Sequence, residues 1–342
     1  MTRTRVLITG AAGFIGSHVV AHILRNTDWN IIALDGLTYA SDVDRLLNDE
    51  TWIGYRGRVS LRYHDLRAPI PDRMMLQWGA VDFVLNLASE SHVDRSISEP
   101  VSFVMNNVGI ALNMLEMARV VKPKLFVQIS TDEVFGPAPD GYAFKEWDVH
   151  TPSNPYAASK SCQEQIAVSY WRTFDVPLVI TNTMNNFGER QDCEKLVPKC
   201  INACLTGQPI TIHGEWNSMT ATWRAGSRVW LHARNFADGL LYILKTLNHP
   251  LMYPMNARPL RFNIAGDAER TNLEIAALVA KILDKELKVE WVDHHSSRPG
   301  HDRRYALDGR KIREWGWTPP LSFEDSFRRT VLWERDHYAQ HR

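Results

Sequence analysis

Tyr156 and Lys160 stand four apart in Asn154-Pro155-Tyr156-Ala157-Ala158-Ser159-Lys160. Proline is tolerated in the first turn of a helix, where amides have no intrahelical partner. From there, positions i and i+4 share one helix face. An ammonium beside a phenol favours phenolate, drawing an ordinary pKa of about 10 toward neutrality. Such a pair could take a proton from a hydroxyl while hydride leaves the same carbon. Tyr and Lys at this spacing are also common on solvated helix faces, so the setting decides. A second group, Thr131-Asp132-Glu133, directly follows the apolar run Leu125–Ser130. In an open parallel sheet, residues beyond the carboxyl ends of strands face the ligand crevice. Adjacent acids there can divide labour: a desolvated, protonated one donates to a leaving hydroxyl, and an ionised one removes a carbon-bound proton. A solvated pair capping the next turn is the plainer alternative, and spacing alone leaves both open.

Thr9-Gly10-Ala11-Ala12-Gly13-Phe14-Ile15-Gly16 follows a β-branched run and opens an amphipathic stretch. Glycines without Cβ let the chain turn tightly, and let backbone amides approach a pyrophosphate at the positive end of a helix. The GxxGxxG spacing is moderately specific, since a bare packing turn reads alike. Asp35 sharpens it. It ends the second expected strand, about 20 residues past the last glycine, where a carboxylate can hold adenosine ribose hydroxyls. That charge repels a 2′-phosphate, and no Arg follows it in Gly36-Leu37-Thr38, so NAD is favoured over NADP.

Positioning these groups requires strands that alternate with helices. Apolar runs at Arg5–Thr9, Asn30–Leu34, Val59–Tyr63, Phe83–Leu87, Leu125–Ser130 and Leu178–Thr183 read as strands. Phe14–Arg25, Val101–Val121 and Pro155–Thr173 read as helices, which together imply βαβ units. After Asn185 the rhythm loosens. A short strand at Ile210–His213 is followed by helices near Asn235–Thr246, Thr271–Asp284 and Ser322–His337, with another near Lys195–Leu205 before it. The expectation is an α/β chain: a Rossmann-like parallel sheet with helices on both faces over residues 1–185, and a smaller C-terminal lobe over 186–342. A return of the chain to the first lobe around 230–260 stays open.

The 342 residues are 44% hydrophobic, enough for such a core. Lys plus Arg equals Asp plus Glu, 39 each. A protein that lives on nucleic acid usually shows a basic excess, so none is expected as partner. No apolar run reaches the ~18 residues that span a bilayer, so no membrane is expected either. Met1 to Arg5 lead straight into a strand, with no room for a signal peptide. Cys162, Cys193, Cys200 and Cys204 show neither metal spacing nor a disulfide framework, which suggests reduced thiols in a cytoplasmic protein. His294, His295, His301 and Asp302 lack chelating spacing in an Arg-rich neighbourhood, so no metal is expected.

Ile129-Ser130-Thr131-Asp132-Glu133-Val134-Phe135-Gly136, Glu90-Ser91-His92-Val93-Asp94-Arg95-Ser96-Ile97 and Arg298-Pro299-Gly300-His301-Asp302-Arg303-Arg304-Tyr305-Ala306 closely resemble the dTDP-glucose 4,6-dehydratase family. The likeness runs from the glycine turn to the final helix. Related epimerases and decarboxylases share the glycine turn and the Tyr–Lys pair but typically lack adjacent acids after that strand. The resemblance implies that Tyr156, supported by Lys160 and oriented with Thr131, deprotonates a hexose C4 hydroxyl as C4 is oxidised. Glu133 then removes the C5 proton, Asp132 protonates the departing C6 hydroxyl, and C6 is reduced to give a 4-keto-6-deoxy sugar. It further implies a tightly held NAD contacted by Gly10, Gly13, Phe14, Ile15, Gly16, Asp35, Leu37 and Thr38. Asp65 and Leu66 would lie by the adenine, with Leu87, Ala88, Ser89, Ser91, Asn107, Tyr156, Lys160 and Asn185 lining the rest.

The same resemblance places the nucleoside-diphosphate sugar against Ser91, Thr131, Asn186, Lys195, Leu196, Thr211, His213, Arg228, Asn263, Arg298 and His301. Arg228 and Arg298 suit a diphosphate through planar paired donors. Departures from the family pattern gather on the nucleotide side. His213 stands where an aromatic Tyr is usual, Gly188–Cys193 replaces a Gly-Pro-Tyr-Gln-Phe-Pro-like stretch, Trp216 to Gly226 reads as an insertion, and Val229 replaces an Asp. The chemistry reads as retained, with the base open among dTDP, UDP, GDP and CDP. Two other readings stay open: a UDP-sugar 4-epimerase or decarboxylase of the same fold, and a catalytically silent NAD-binding scaffold. The family further implies a homodimer through helices such as Val101–Val121 and Pro155–Thr173.

Overall fold

The structure, a computed structural model, describes residues 3–47, 50–247, 258–293 and 302–338. The first half supplies β1 (Arg5–Thr9), β2 (Asn30–Asp35), β3 (Val59–Tyr63), β4 (Phe83–Asn86), β5 (Leu125–Thr131) and β6 (Leu178–Thr183). The second supplies β7 (Asn185–Phe187), β8 (Ile210–Asn217), β9 (Thr222–Ala225), β10 (Ser227–His232), β11 (Leu260–Ile264), β12 (Ala268–Thr271), β13 (Val289–Asp293) and β14 (Arg304–Tyr305). Seven strands form one sheet in the order β11-β6-β5-β4-β1-β2-β3, every pairing parallel. This is a Rossmann-like sheet. Its strand order reverses between β1 and β4, and ligands of such sheets bind in the crevice beyond the strand ends at that switch.

Alternation along the strands builds two apolar layers. Val6 and Ile8 of β1 face helices Phe14–Asn26 and Ala233–Thr246, where Val19, Ile23, Phe236 and Leu240 are fully buried. Leu7 faces the other way, toward Ile110 and Met114 of helix Pro100–Val121 and Ala167 of helix Pro155–Phe174. A parallel sheet covered on both faces needs such near-continuous aliphatic runs. The chain re-enters this sheet late: β11 pairs with β6 from Leu260↔Val179 to Ile264↔Thr183. The run Leu-Arg-Phe-Asn-Ile hides that strand in the sequence, because its Arg and Asn are buried polar residues.

Helix Pro100–Val121 is long and apolar. By length and composition it could cross a membrane, the one such helix among the described residues. Its apolarity has a local cause, because Phe103, Ile110, Met114 and Leu115 fill the core while Val101, Met105 and Val120 lie exposed on the other side.

A second core joins helices Leu196–Thr206, Asn272–Leu283 and Phe323–Asp336 around Phe187, Ile212 and Trp230. The stretch Trp216 to Gly226 is a hairpin rather than a loop. β8 runs on past His213 and pairs antiparallel with β9, Trp216 opposite Trp223. The Trp223 ring stacks on Trp291 of β13 at 5.5 Å between centroids.

Candidate active site

A cavity of about 620 Å³ opens at the strand ends, within the usual size range for small-molecule sites. Gly10, Gly13, Phe14, Ile15 and Gly16 line one end, with Asp35, Thr38, Asp65 and Leu66 beside them. Leu87, Ala88, Ser89 and Ser91 line its middle, and Thr131, Asp132, Glu133, Tyr156, Lys160, Asn185, Asn186 and Lys195 its other end.

The glycine turn is built for close approach. Gly10 has φ +64°, and a Cβ on Gly16 would collide with the Gly10 carbonyl oxygen. Asp35 is buried and ties the turn down: Oδ2 accepts from Ala12 N at 2.8 Å, and Oδ1 from Leu37 N and the Ser41 hydroxyl. A bare-backbone turn at a helix start, with a carboxylate ending β2, fits a dinucleotide lacking a 2′-phosphate.

At the far end, β5 delivers Thr131 and the next turn delivers the two acids. Asp132 is 4% exposed. Burial first, then the Glu133 charge, push its carboxyl up to about 7, against a hydrogen bond from the Thr131 hydroxyl at 3.0 Å. Burial also raises Glu133, opposed chiefly by Asn154, whose Nδ2 donates to Oε2 at 3.1 Å. Asn154 caps the helix of Tyr156 and Lys160 as well, accepting from Ala157 N at 2.8 Å.

The Tyr–Lys pair departs from its expected electrostatics. Lys160 Nζ donates to the Ile129 carbonyl and to Gln163 Oε1, each at 2.7 Å, and burial lowers its pKa to about 7. The Tyr156 phenol is held well above its ordinary value by burial and by Glu133, despite a hydrogen bond with Thr131. The ammonium therefore anchors the helix to β5, and burial with the neighbouring carboxyls sets the phenol. A buried side-chain chain continues behind it: Thr9 Oγ1 to Asn86 at 2.8 Å, Asn86 to Gln128 at 2.9 Å, Gln128 to Gln163 at 3.3 Å. Sequence reasoning missed these residues. The signals were a Gln inside the apolar run of β5 and an Asn directly before a helix-starting Pro.

Other residues singled out in the sequence lie outside the cavity lining. Asn107 is fully buried and braces the loop over the site, accepting from Glu90 N at 2.8 Å and donating to Ser159 at 2.9 Å. Leu37 is exposed, with φ 47°. Leu196 opens a helix, while Thr211 and His213 lie on β8, opposite Glu290 and Val292 of β13. Asn263 is buried on β11 and donates to the Phe144 and Asp308 carbonyls. Arg228 turns to protein carbonyls, with donors to Ser227, Arg303 and Asp302. Arg298 and His301, like His294 and His295, lie outside the described residues.

A two-sided parallel sheet, a glycine turn and a Tyr–Lys helix opening into one crevice define an extended short-chain dehydrogenase/reductase. The profile of the GDP-mannose 4,6 dehydratase family matches residues 7–330. The dTDP-glucose 4,6-dehydratase of Salmonella typhimurium is 35% identical, over 96% of this chain and 92% of its own. Among solved structures, the dTDP-glucose 4,6-dehydratase DesIV of Streptomyces venezuelae, with NAD and TYD bound, superposes with a TM-score of 0.84 at 32% identity, covering 98% of each chain. The UDP-glucose 4-epimerase of Thermus thermophilus, in complex with NAD, gives 0.82 at 26% identity over 97% of this chain and 99% of its own. This chain belongs to the dTDP-glucose 4,6-dehydratase family.

Proposed function

We propose that the protein is an NAD-dependent hydro-lyase that converts a nucleoside-diphosphate hexose of the dTDP-glucose kind to its 4-keto-6-deoxy sugar. One observation carries this reading: two adjacent carboxyls directly follow β5, one taking a hydrogen bond from Thr131 and the other from Asn154, in the same cavity as the dinucleotide turn. An epimerase of this fold has no use for an acid poised at about 7 beside a second carboxylate. When bound, NAD supplies the two-electron exchange that makes C4 a ketone and later restores C6.

The chain's own residues do the rest. Tyr156 takes the C4 hydroxyl proton, steered by Thr131. Burial keeps that residue's phenol protonated in the free protein, so it must first release its own proton to solvent and act as phenolate, a form that the Lys160 ammonium one helix turn away favours. A C4 ketone acidifies the C5 hydrogen, which Glu133 accepts. Asp132, protonated below about 7, donates to the C6 hydroxyl as it leaves. Water then departs with one proton from Asp132 and its oxygen from C6.

The division of labour at the level of lobes belongs to this reading: residues 1–185 hold the cofactor and 186–342 mainly the sugar nucleotide. So does a homodimer, which the exposed Val101 and Met105 of helix Pro100–Val121 support, and a cytoplasmic setting, which four free cysteines support. The decisive experiment supplies dTDP-, UDP-, GDP- and CDP-glucose and follows products by NMR. A 4-keto-6-deoxy sugar from at least one is expected. A C4 epimer, or no ketone from any, overturns the assignment. A strong preference for dTDP-glucose would instead defeat only the idea that the residue changes near β8 alter the base.

A further inference from the structure

Glu133 lines the cavity, but the groups that hold it do not. Two neutral donors converge on one of its oxygens: Asn154 Nδ2 at 3.1 Å and the Tyr305 hydroxyl at 3.4 Å both point to Oε2. The second is long for an O–H···O bond, as catalytic contacts often are before substrate tightens them. Tyr305 comes from β14, far along the chain, and is 3% exposed.

Its placement is over-determined. Asp302 N donates to the Tyr305 oxygen at 3.3 Å, which leaves the hydroxyl proton for Glu133. The Arg228 guanidinium lies 4.4 Å from the centre of the Tyr305 ring and also grips the Asp302 and Arg303 carbonyls at 2.7 Å. In the β10–β14 pairing, Arg228 stands opposite Tyr305. Ser153 reaches from the loop before the Tyr–Lys helix to Asp302 Oδ1 at 2.8 Å. A buried tyrosine normally sends its hydroxyl to some acceptor. Here the acceptor is a carboxylate at the reacting end of the cavity, and the strand that brings it there is two residues long.

We infer that Tyr305 is a positioning residue for Glu133: with Asn154 it fixes Oε2, leaving Oε1 as the oxygen that takes up the carbon-bound proton of the substrate. The inference rests on the dehydratase reading above. Donors to the ionised carboxylate stabilise that form. They act among Asp132 and Asp302, which disfavour a charge on Glu133, Arg228 and Lys195, which favour it, and the neutral Tyr156. Loss of one donor must raise the pH at which the base becomes competent and slow the proton's removal. Substrate binding is left nearly unchanged.

The test compares wild-type, Tyr305→Phe and Asn154→Asp enzymes, NAD-loaded and full length, on whichever nucleoside-diphosphate glucose the wild type dehydrates. Asp retains the helix cap while replacing the donor to Glu133 with a like charge. Both variants should lower kcat, Tyr305→Phe by roughly ten- to a hundredfold, with KM within about twofold. The acid limb of kcat should move to higher pH and the isotope effect from C5-deuterated substrate should grow. An unmoved acid limb and isotope effect in either folded variant overturns the inference, and so does a loss confined to KM. Absence of ketone product from the wild type would instead sink the dehydratase reading, so the two failures are distinguishable.

Discussion

Two regions of the protein are made differently. Around Thr131, Asp132, Glu133, Tyr156 and Lys160, polar groups hold one another through directed hydrogen bonds: the lysine by β5 and Gln163, Glu133 by Asn154, the loop over the site by Asn107. Around β8, β9 and β13, the contacts are ring on ring and ion pairs at half-exposed positions, such as Trp223 on Trp291 and Arg224 with Asp140. The first arrangement fixes direction as well as distance, as proton transfer requires. The second can change residue by residue without disturbing the first. If β8, β9 and β13 form the nucleotide side, as the proposed function has it, the reaction can be kept while that side drifts; His213 and the hairpin that carries Trp216 and Trp223, where the sequence departs from the family pattern, lie there.

The contrast breaks most easily at Asp132. Asp132→Asn keeps the shape and removes the transferable proton, so turnover to the 4-keto-6-deoxy sugar should fall by roughly 10²- to 10⁴-fold. KM should change little, and oxidation at C4 should persist, seen as the absorbance of bound NADH when the variant is mixed with substrate. Retention of more than a tenth of wild-type turnover would show that the acid is not the proton donor.

How much of this could be read from residues alone follows the same divide. Thr131 to Glu133, the glycine turn and the Tyr–Lys helix are local patterns, and the sheet that orders them announces itself in β-branched runs. Asn154, Gln163 and Tyr305 matter through partners far away in sequence, where spacing carries no signal. β11 was invisible because Arg261 is buried against the Glu164 carboxylate and beneath Trp147, a satisfaction that only the folded chain supplies. The Tyr156 phenol teaches the converse. A Lys four residues on suggested acidification, but Lys160 points to β5, and burial decides the outcome.

A pH profile sharpens the comparison next. Asp132 titrates near 7 in the folded protein, so it can donate below that pH and loses its proton above it. The kcat for dehydration should therefore fall on the alkaline side from about pH 7, approaching tenfold per unit. The sign for stability is the same. The folded state keeps a proton that the unfolded carboxyl, with its ordinary value of 3.8, has already released, so this residue's contribution is lost as pH rises through about 7. A flat profile from pH 6 to 9 would mean that Asp132 is not the group whose proton matters.

The smallest effect is expected at the hairpin. Trp223→Ala removes a ring stacked on Trp291 and tilted against Trp216, a contact of the kind that contributes about 0.5–1.5 kcal/mol. Arg224 and Arg303 still share Asp140, which should keep the hairpin tied to the segment leading into β14. The expected result is a change of several-fold in the ratio of kcat/KM between dTDP-glucose and UDP-glucose, with kcat on the better substrate unchanged within about twofold. If kcat fell as far as kcat/KM, the disturbance would have travelled through Arg303 to Tyr305 and Glu133. The hairpin and the catalytic residues would then be one mechanical unit, and the freedom of the hairpin to vary would need another explanation.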